Sequence, residues 1–252
     1  MDDTQIYDYA IWAMFAFALI TVIMVVFITA PYGRHEREGW GPTISNRAGW
    51  LLMESPPVLV FLGFYLTGDH AAELVPLILL GLWQSHYVYR AWIFPLKMKT
   101  AGKQIPMLLP LIAITFNTLN AYVNSRWISH YGSYDLSWLT DPRFIIGASV
   151  FFVGMRINRQ SDNILLNLRK PGESGYKIPE GGLYRWISSP NYFGEIIEWF
   201  GWAIATWSLA GLAFAVYAIA NLAPRALSNH QWYKEKFADY PRERRALIPG
   251  IW

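Results

Sequence analysis

Glu54, His86, Tyr87 and Arg90 stand inside runs of apolar residues, the setting in which polar side chains are least suited to inert packing. A charged group at membrane depth is costly unless it is paired or faces a cavity. Glu54 is followed by Ser55-Pro56-Pro57, and a proline pair interrupts a helix in a way that suits a wall of protein or water rather than lipid. In the stretch HYVYR, His86 and Arg90 are spaced i, i+4 and share a helix face, with Tyr87 beside them. If Glu54 and Tyr87 meet across neighbouring helices, a direct hydrogen bond between them is expected. Such a pair can also donate to a ketone oxygen and stabilise a developing enolate. Ordinary interhelical packing, or a Glu54 solvated at the membrane rim, would use the same residues.

A second polar group lies in INRQSDNILLNLRKPGESGYKIPEGGLYRWISSPNYFGEIIEW. Asn158 and Asp162 are spaced i, i+4 on an expected helix extension, with Arg169 two turns further on. Gly181-Gly182 and Ser189-Pro190-Asn191 mark turns, and Glu195 and Glu198 open the next helix. This mixture of amide, carboxylate, Arg and Tyr could grip an anionic cofactor carrying a ribose and an amide; a capped, salt-bridged loop is the other reading. Neither GxGxxG nor GxxxxGK[ST] occurs, so no Rossmann or P-loop nucleotide site is expected. The five histidines are scattered without paired-ligand spacing and cysteine is absent, so neither a metal site nor a disulfide framework is expected. No nucleic-acid partner is expected either.

The elements that must carry these groups are apolar. Of 252 residues, 54% are hydrophobic and 15% charged, against about 25% charged in a soluble domain. A helix needs about 20 apolar residues to cross the hydrocarbon. Candidate runs cover residues 9–30, 50–67, 74–94, 106–123, 144–157 and 196–222. The first is too long for a signal-peptide core and lacks a basic start. Lys and Arg collect after the first, third and fifth runs and in the tail, which sets those segments on the cytoplasmic side. Both flanks of residues 196–222 are basic, so that run is expected to fold back near Ser208-Leu209-Ala210-Gly211. The expected fold is an all-α integral membrane domain over residues 1–252 with seven spans enclosing a cavity, and six as the alternative. The expected orientation has the N-terminus outside and the C-terminus cytoplasmic.

Residues 154–252 resemble the C-terminal portion of the steroid 5α-reductase (3-oxo-5α-steroid 4-dehydrogenase) family. The resemblance is carried by GMRINRQSDNILLNL, RKPGESGYKIPEGGLYRWISSPNYFGEIIEWFGWAIATWSLAGLAFA and RALSNHQWYKEKFADYPRERRALIP. Upstream, WLLMESP and LGLWQSHYVYR fall on two further family segments. SPNYFGE alone is also similar to sterol reductases and isoprenylcysteine carboxyl methyltransferases, whereas RKPGxxxYxIPxGGL favours the 5α-reductase branch.

The resemblance implies an NADPH-dependent enzyme of the endoplasmic reticulum or bacterial inner membrane, monomeric, acting on a hydrophobic steroid-like substrate. Hydride would go to the β-carbon of a 3-oxo-Δ4 steroid or similar lipid enone. Glu54 and Tyr87 match the carbonyl-polarising pair. Asn158, Asp162, Arg169, Tyr176, Asn191, Glu195, Arg225 and Tyr233 match dinucleotide-associated positions, and Lys103 lies where the 2′-phosphate would be met. The chain departs from the family pattern at Met53, in place of Gln, at Asn229, in place of His, and near Ile112, where an Arg is missing; the natural enone is left open. A membrane methyltransferase using S-adenosylmethionine and a non-catalytic lipid-binding protein are the competing readings.

Overall fold

The computed structural model describes residues 2–99, 102–170, 173 and 175–252. Pro171, Gly172 and Ser174 of the RKPGESGY motif lie outside the described residues. Among the described residues the helices join into seven straight or kinked rods, and three of these are long and apolar enough to cross a membrane: Asp3–Phe27, Asn46–Tyr65 and Leu209–Lys236. α1 (Asp3–Phe27) starts where Asp2 accepts from the Gln5 backbone N–H while the Gln5 side chain returns the bond, a reciprocal cap that satisfies two orphan donors.

Two rods are interrupted where the site lies. α2 (Asn46–Glu54) and α3 (Pro56–Tyr65) meet at Ser55. Pro56 and Pro57 have no N–H for the carbonyls one turn earlier. The Met53 carbonyl, which Pro57 cannot reach, accepts instead from Asn117 Nδ2 at 2.6 Å, and the Ser55 hydroxyl at the break donates to the Leu51 carbonyl at 2.5 Å. Glu54 is therefore held at a break whose backbone is retained by side chains. α4 (Leu74–Val88) runs into a π turn at Tyr89–Ile93, where the Phe94 N–H reaches back to the Tyr89 carbonyl, and then into α5 (Phe94–Lys97). Pro95 cannot supply the ordinary bond in this turn, and π turns of this kind cluster at functional sites.

α6 (Leu108–Arg126) packs against α3. α7 (Pro142–Asn167) runs ten residues past the apolar stretch at 144–157 and so carries Asn158 and Asp162 on regular helix, as their spacing requires. Its closest neighbour is α8 (Pro190–Thr206). Gly147 and Gly154 on α7 face Gly194 and Gly201 on α8, and a Cβ at any of the four would stand 2.3–2.4 Å from a backbone nitrogen of the other helix. Small residues at such a seam let backbones approach and gain dispersion contacts that lipid cannot supply. Gly154→Ala is expected to lower stability by about 1–3 kcal/mol through overpacking, read as a lower thermal midpoint in detergent. An unchanged midpoint would mean the seam has slack.

α8 ends at Trp207, a left-handed residue (φ 46°), and Ser208 caps α9 (Leu209–Lys236) by accepting from the Gly211 N–H. The fold-back expected near Ser208 is thus a tight helical hairpin. α9 also packs along α1. Outside the helices, β1 (Thr43–Ser45) pairs antiparallel with β2 (Gln104–Pro106), a small sheet that periodicity did not indicate.

The connectors sort onto two ends. At one, Asp3 takes Arg126 Nη2 at 2.8 Å and Tyr131 Oη at 2.7 Å, and His130 lies 2.9 Å from Asp69. At the other, His35 meets Asn229, Lys103 meets Tyr176, Lys99 meets the Arg169 carbonyl, and Ser188 meets Arg245. The segments after α1, α5 and α7 and the tail therefore share an end, the grouping that the Lys and Arg distribution requires.

Candidate active site

The residues matched to dinucleotide positions separate into an inner cluster and a cavity wall. The inner cluster forms because α7 and α8 touch along the glycine seam, which places Asn158 and Asp162 against Asn191 and Glu195. Asn158 Nδ2 donates to the Asn191 carbonyl at 3.0 Å and to Glu195 Oε2 at 3.3 Å. Asn191 Nδ2 donates to Asp162 Oδ1 at 3.1 Å. Arg90, delivered by the π turn, donates to Asp162 Oδ2 at 3.1 Å and lies 3.8 Å from Glu195 Oε2. Its guanidinium covers the Trp50 ring at 4.6 Å. One half-buried cation thus serves two carboxylates, of which Asp162 is buried.

The cavity, about 220 Å³, opens at the basic end. Arg34, His35, Lys103, Tyr176, Tyr192, Arg225 and Asn229 are among its walls. The Arg225 guanidinium lies 5.1 Å from the Tyr32 ring and 5.3 Å from that of Tyr192, with no carboxylate in ion-pair range among the described residues. Lys103 Nζ donates to Tyr176 Oη at 3.1 Å. Tyr233 stands behind the wall, under the Arg34 guanidinium at 4.5 Å. Arg169 is at the rim, donating to the Gly175 carbonyl beside Tyr176. Burial pushes the His35 imidazole below its ordinary value, against the opposing hydrogen bond that it makes to Asn229 Oδ1. Tyr192 lines the cavity while its neighbour Asn191 belongs to the inner cluster, so the two groups adjoin.

Whether this architecture suits a dinucleotide is tested by one atom. Arg34 Nη1 is buried at the cavity without a hydrogen-bond partner. An orphaned guanidinium nitrogen among Lys103 and Arg225 fits an anionic group, and the amides and carboxylates of the inner cluster fit a carboxamide and hydroxyls.

Glu54 comes from the end of α2, four residues after Trp50, whose ring the Arg90 guanidinium covers, and Tyr87 comes from the last turn of α4, just before the π turn that carries Arg90. The direct Tyr–Glu hydrogen bond expected from the sequence is not made; among the described residues neither side chain has a hydrogen-bond partner. The phenol ring is fixed instead by stacking on Trp199 (5.4 Å, 27°), with Trp83 at 4.8 Å and the His86 ring edge-on at 4.9 Å.

Sequence reasoning did not find Arg34, His35 or Tyr192. Their signal was a basic, aromatic turn directly after α1 and an aromatic residue beside Asn191. At the three departures, the Met53 carbonyl holds Asn117, Asn229 Oδ1 meets His35 Nε2 at 3.2 Å, and Ile112 is exposed on the bundle surface.

Similarity to known proteins covers the segments that build both clusters. A sequence model described as 3-oxo-5-alpha-steroid 4-dehydrogenase matches residues 103–252. The steroid 5-alpha-reductase DET2 of Gossypium hirsutum is 43% identical over 255 residues, covering 99% of each chain. That of Arabidopsis thaliana is 44% identical over 92% of this chain and 91% of its own. The 3-oxo-5-alpha-steroid 4-dehydrogenase 1 of Homo sapiens is 44% identical over 87% of this chain and 85% of its own. With a family model matched over residues 103–252 and relatives above 40% identical over nearly the whole length, this chain belongs to the 3-oxo-5-alpha-steroid 4-dehydrogenase family.

Proposed function

We propose that the chain is an NADPH-dependent reductase of the Δ4 double bond of a 3-oxo-Δ4 steroid or a similarly shaped lipid enone. The observation that carries this reading is the junction of α2, α4 and α8, where Arg90 covers Trp50 and pairs with Asp162 near Glu195 while Tyr87 stacks on Trp199, in a chain of this family.

NADPH, when bound, supplies the hydride that goes to the β-carbon. Arg34, Lys103 and Arg225 would hold its phosphates, and Asn158, Asp162, Asn191 and Glu195 its amide and hydroxyls; Tyr176 and Tyr233 shape the cavity and Arg169 its rim. The Tyr87 phenol and the protonated Glu54 carboxyl donate to the substrate carbonyl and stabilise the enolate as charge moves onto oxygen. The enolate then returns to the ketone as the α-carbon takes a solvent-derived proton, which balances the hydride added at the β-carbon. Trp83, Trp199 and Phe214 exclude water from this region, which strengthens each hydrogen bond to the oxygen.

The seven rods would cross the membrane, with Asp3 outside and the basic end cytoplasmic, in the bacterial inner membrane or the endoplasmic reticulum. One protomer contains both clusters, in keeping with a monomer. Residues 154–252 supply most of the cofactor cradle.

Purified protein in detergent, given NADPH and a 3-oxo-Δ4 steroid, should lose absorbance at the nicotinamide band as the saturated 3-ketone accumulates. Absence of NADPH consumption across a panel of 3-oxo-Δ4 steroids and other lipid enones would sink the proposal.

A further inference from the structure

Glu198 is fully buried, and only one of its carboxyl oxygens is satisfied. Oε1 lies 2.8 Å from His86 Nδ1, while Oε2 has no hydrogen-bond partner. A well-packed apolar pair at such a site would fold at least as well, so a buried ionisable pair is weak support for stability and is better suited to fixing a register. The register in question is visible in the neighbours. Consecutive residues of α4, His86 and Tyr87, face consecutive residues of α8, Glu198 and Trp199. The first pair hydrogen-bonds and the second stacks. The His86 ring also meets Tyr87 edge-on at 4.9 Å and Trp199 at 4.7 Å. On its other side, the Glu198 backbone is pressed against α7 at Gly154. A rotation of α4 that swung the phenol would have to break the His86–Glu198 bond.

We infer that His86 and Glu198 are positioning residues that lock α4 against α8 and so aim the Tyr87 hydroxyl. This rests on the reading of Tyr87 as a carbonyl-polarising group. Directionality is what separates the bond from packing: a hydrogen bond fixes rotation about the helix axis, which dispersion contacts alone hold loosely.

The test compares His86→Phe, Glu198→Leu, Glu198→Gln and Tyr87→Phe in the full chain, with kcat and KM from NADPH consumption and NADPH Kd from thermal shift. His86→Phe and Glu198→Leu are expected to lower kcat about tenfold or more, with NADPH Kd within about twofold of the parent. Glu198→Gln should recover most of that loss, because its amide oxygen still accepts from an Nδ1–H. If Glu198→Leu does not fold, His86→Phe, which keeps the ring, decides the matter. Parental kcat in His86→Phe while Tyr87→Phe is impaired overturns the inference and leaves the proposed function standing. Equal losses in Glu198→Gln and Glu198→Leu also overturn it, since the effect would then not follow the hydrogen bond. Full turnover in Tyr87→Phe removes the reading of the site itself, and the inference with it.

Discussion

Tyr87→Phe is expected to lower kcat about 100- to 1000-fold, the range for removing one donor to a developing oxyanion. The substitution deletes only the hydroxyl. The ring that stacks on Trp199 and touches Trp83 is retained, so folding and NADPH affinity should be preserved. Glu54→Gln keeps a donor of nearly the same shape but cannot share a proton, and it should slow turnover less than Tyr87→Phe. Stopped-flow loss of nicotinamide absorbance, under single-turnover conditions, separates the chemical step from product release. Parental rates in both variants would mean that the two side chains line the chamber without acting on the ketone.

Arg90→Met should cost about 3–5 kcal/mol of stability, because it strands the carboxylates of Asp162 and Glu195 inside the bundle. The Arg90 side chain is 13% exposed, Asp162 4% and Glu195 17%, so water screens these charges little. Adding Asp162→Asn to Arg90→Met is expected to recover part of the loss, since a neutral amide can still receive and return hydrogen bonds with Asn191. The double variant should therefore be more stable than the sum of the two single changes requires. Unfolding midpoints in detergent measure this, and a midpoint for Arg90→Met equal to that of the parent protein would show that the carboxylates are satisfied without the guanidinium.

Local signals in the sequence reached as far as local physics does. The apolar run ending at Pro31 became α1, the proline pair after Glu54 became a helix break, and the hydroxyl and small residues at Ser208 became a hairpin turn. The i, i+4 spacing of Asn158 and Asp162 was sufficient to put both on one face. Hydropathy located the start of α2 too late, at residue 50. The helix begins at Asn46 because Ser45 caps it by accepting from the Ala48 N–H, and a polar first turn leaves no trace in an apolar count. The fifth apolar run stops at residue 157, while α7 continues to Asn167, in line with the helix extension expected at Asn158 and Asp162.

Partners distant in sequence were out of reach. Nothing near Arg90 names Asp162 and Glu195 as its counter-charges, and nothing near His86 names Glu198. The Tyr–Glu hydrogen bond was misjudged for a related reason: adjacency of two helices does not fix side-chain rotation, and aromatic stacking turned the phenol to its own position. The glycine spacing of seven on α7 and again on α8 was legible, but its meaning depended on knowing that those two helices are neighbours.

The packing of α1 along α9 has a consequence for how the protein is made. Every other rod must leave the ribosome before α1 meets its long-range mate, so the bundle closes late and at high contact order. Until then, α1 has only lipid and the middle rods for company. The wall carrying Arg34 and the wall carrying Arg225 come together in that same step, so the basic cavity takes shape only after α9 has been made.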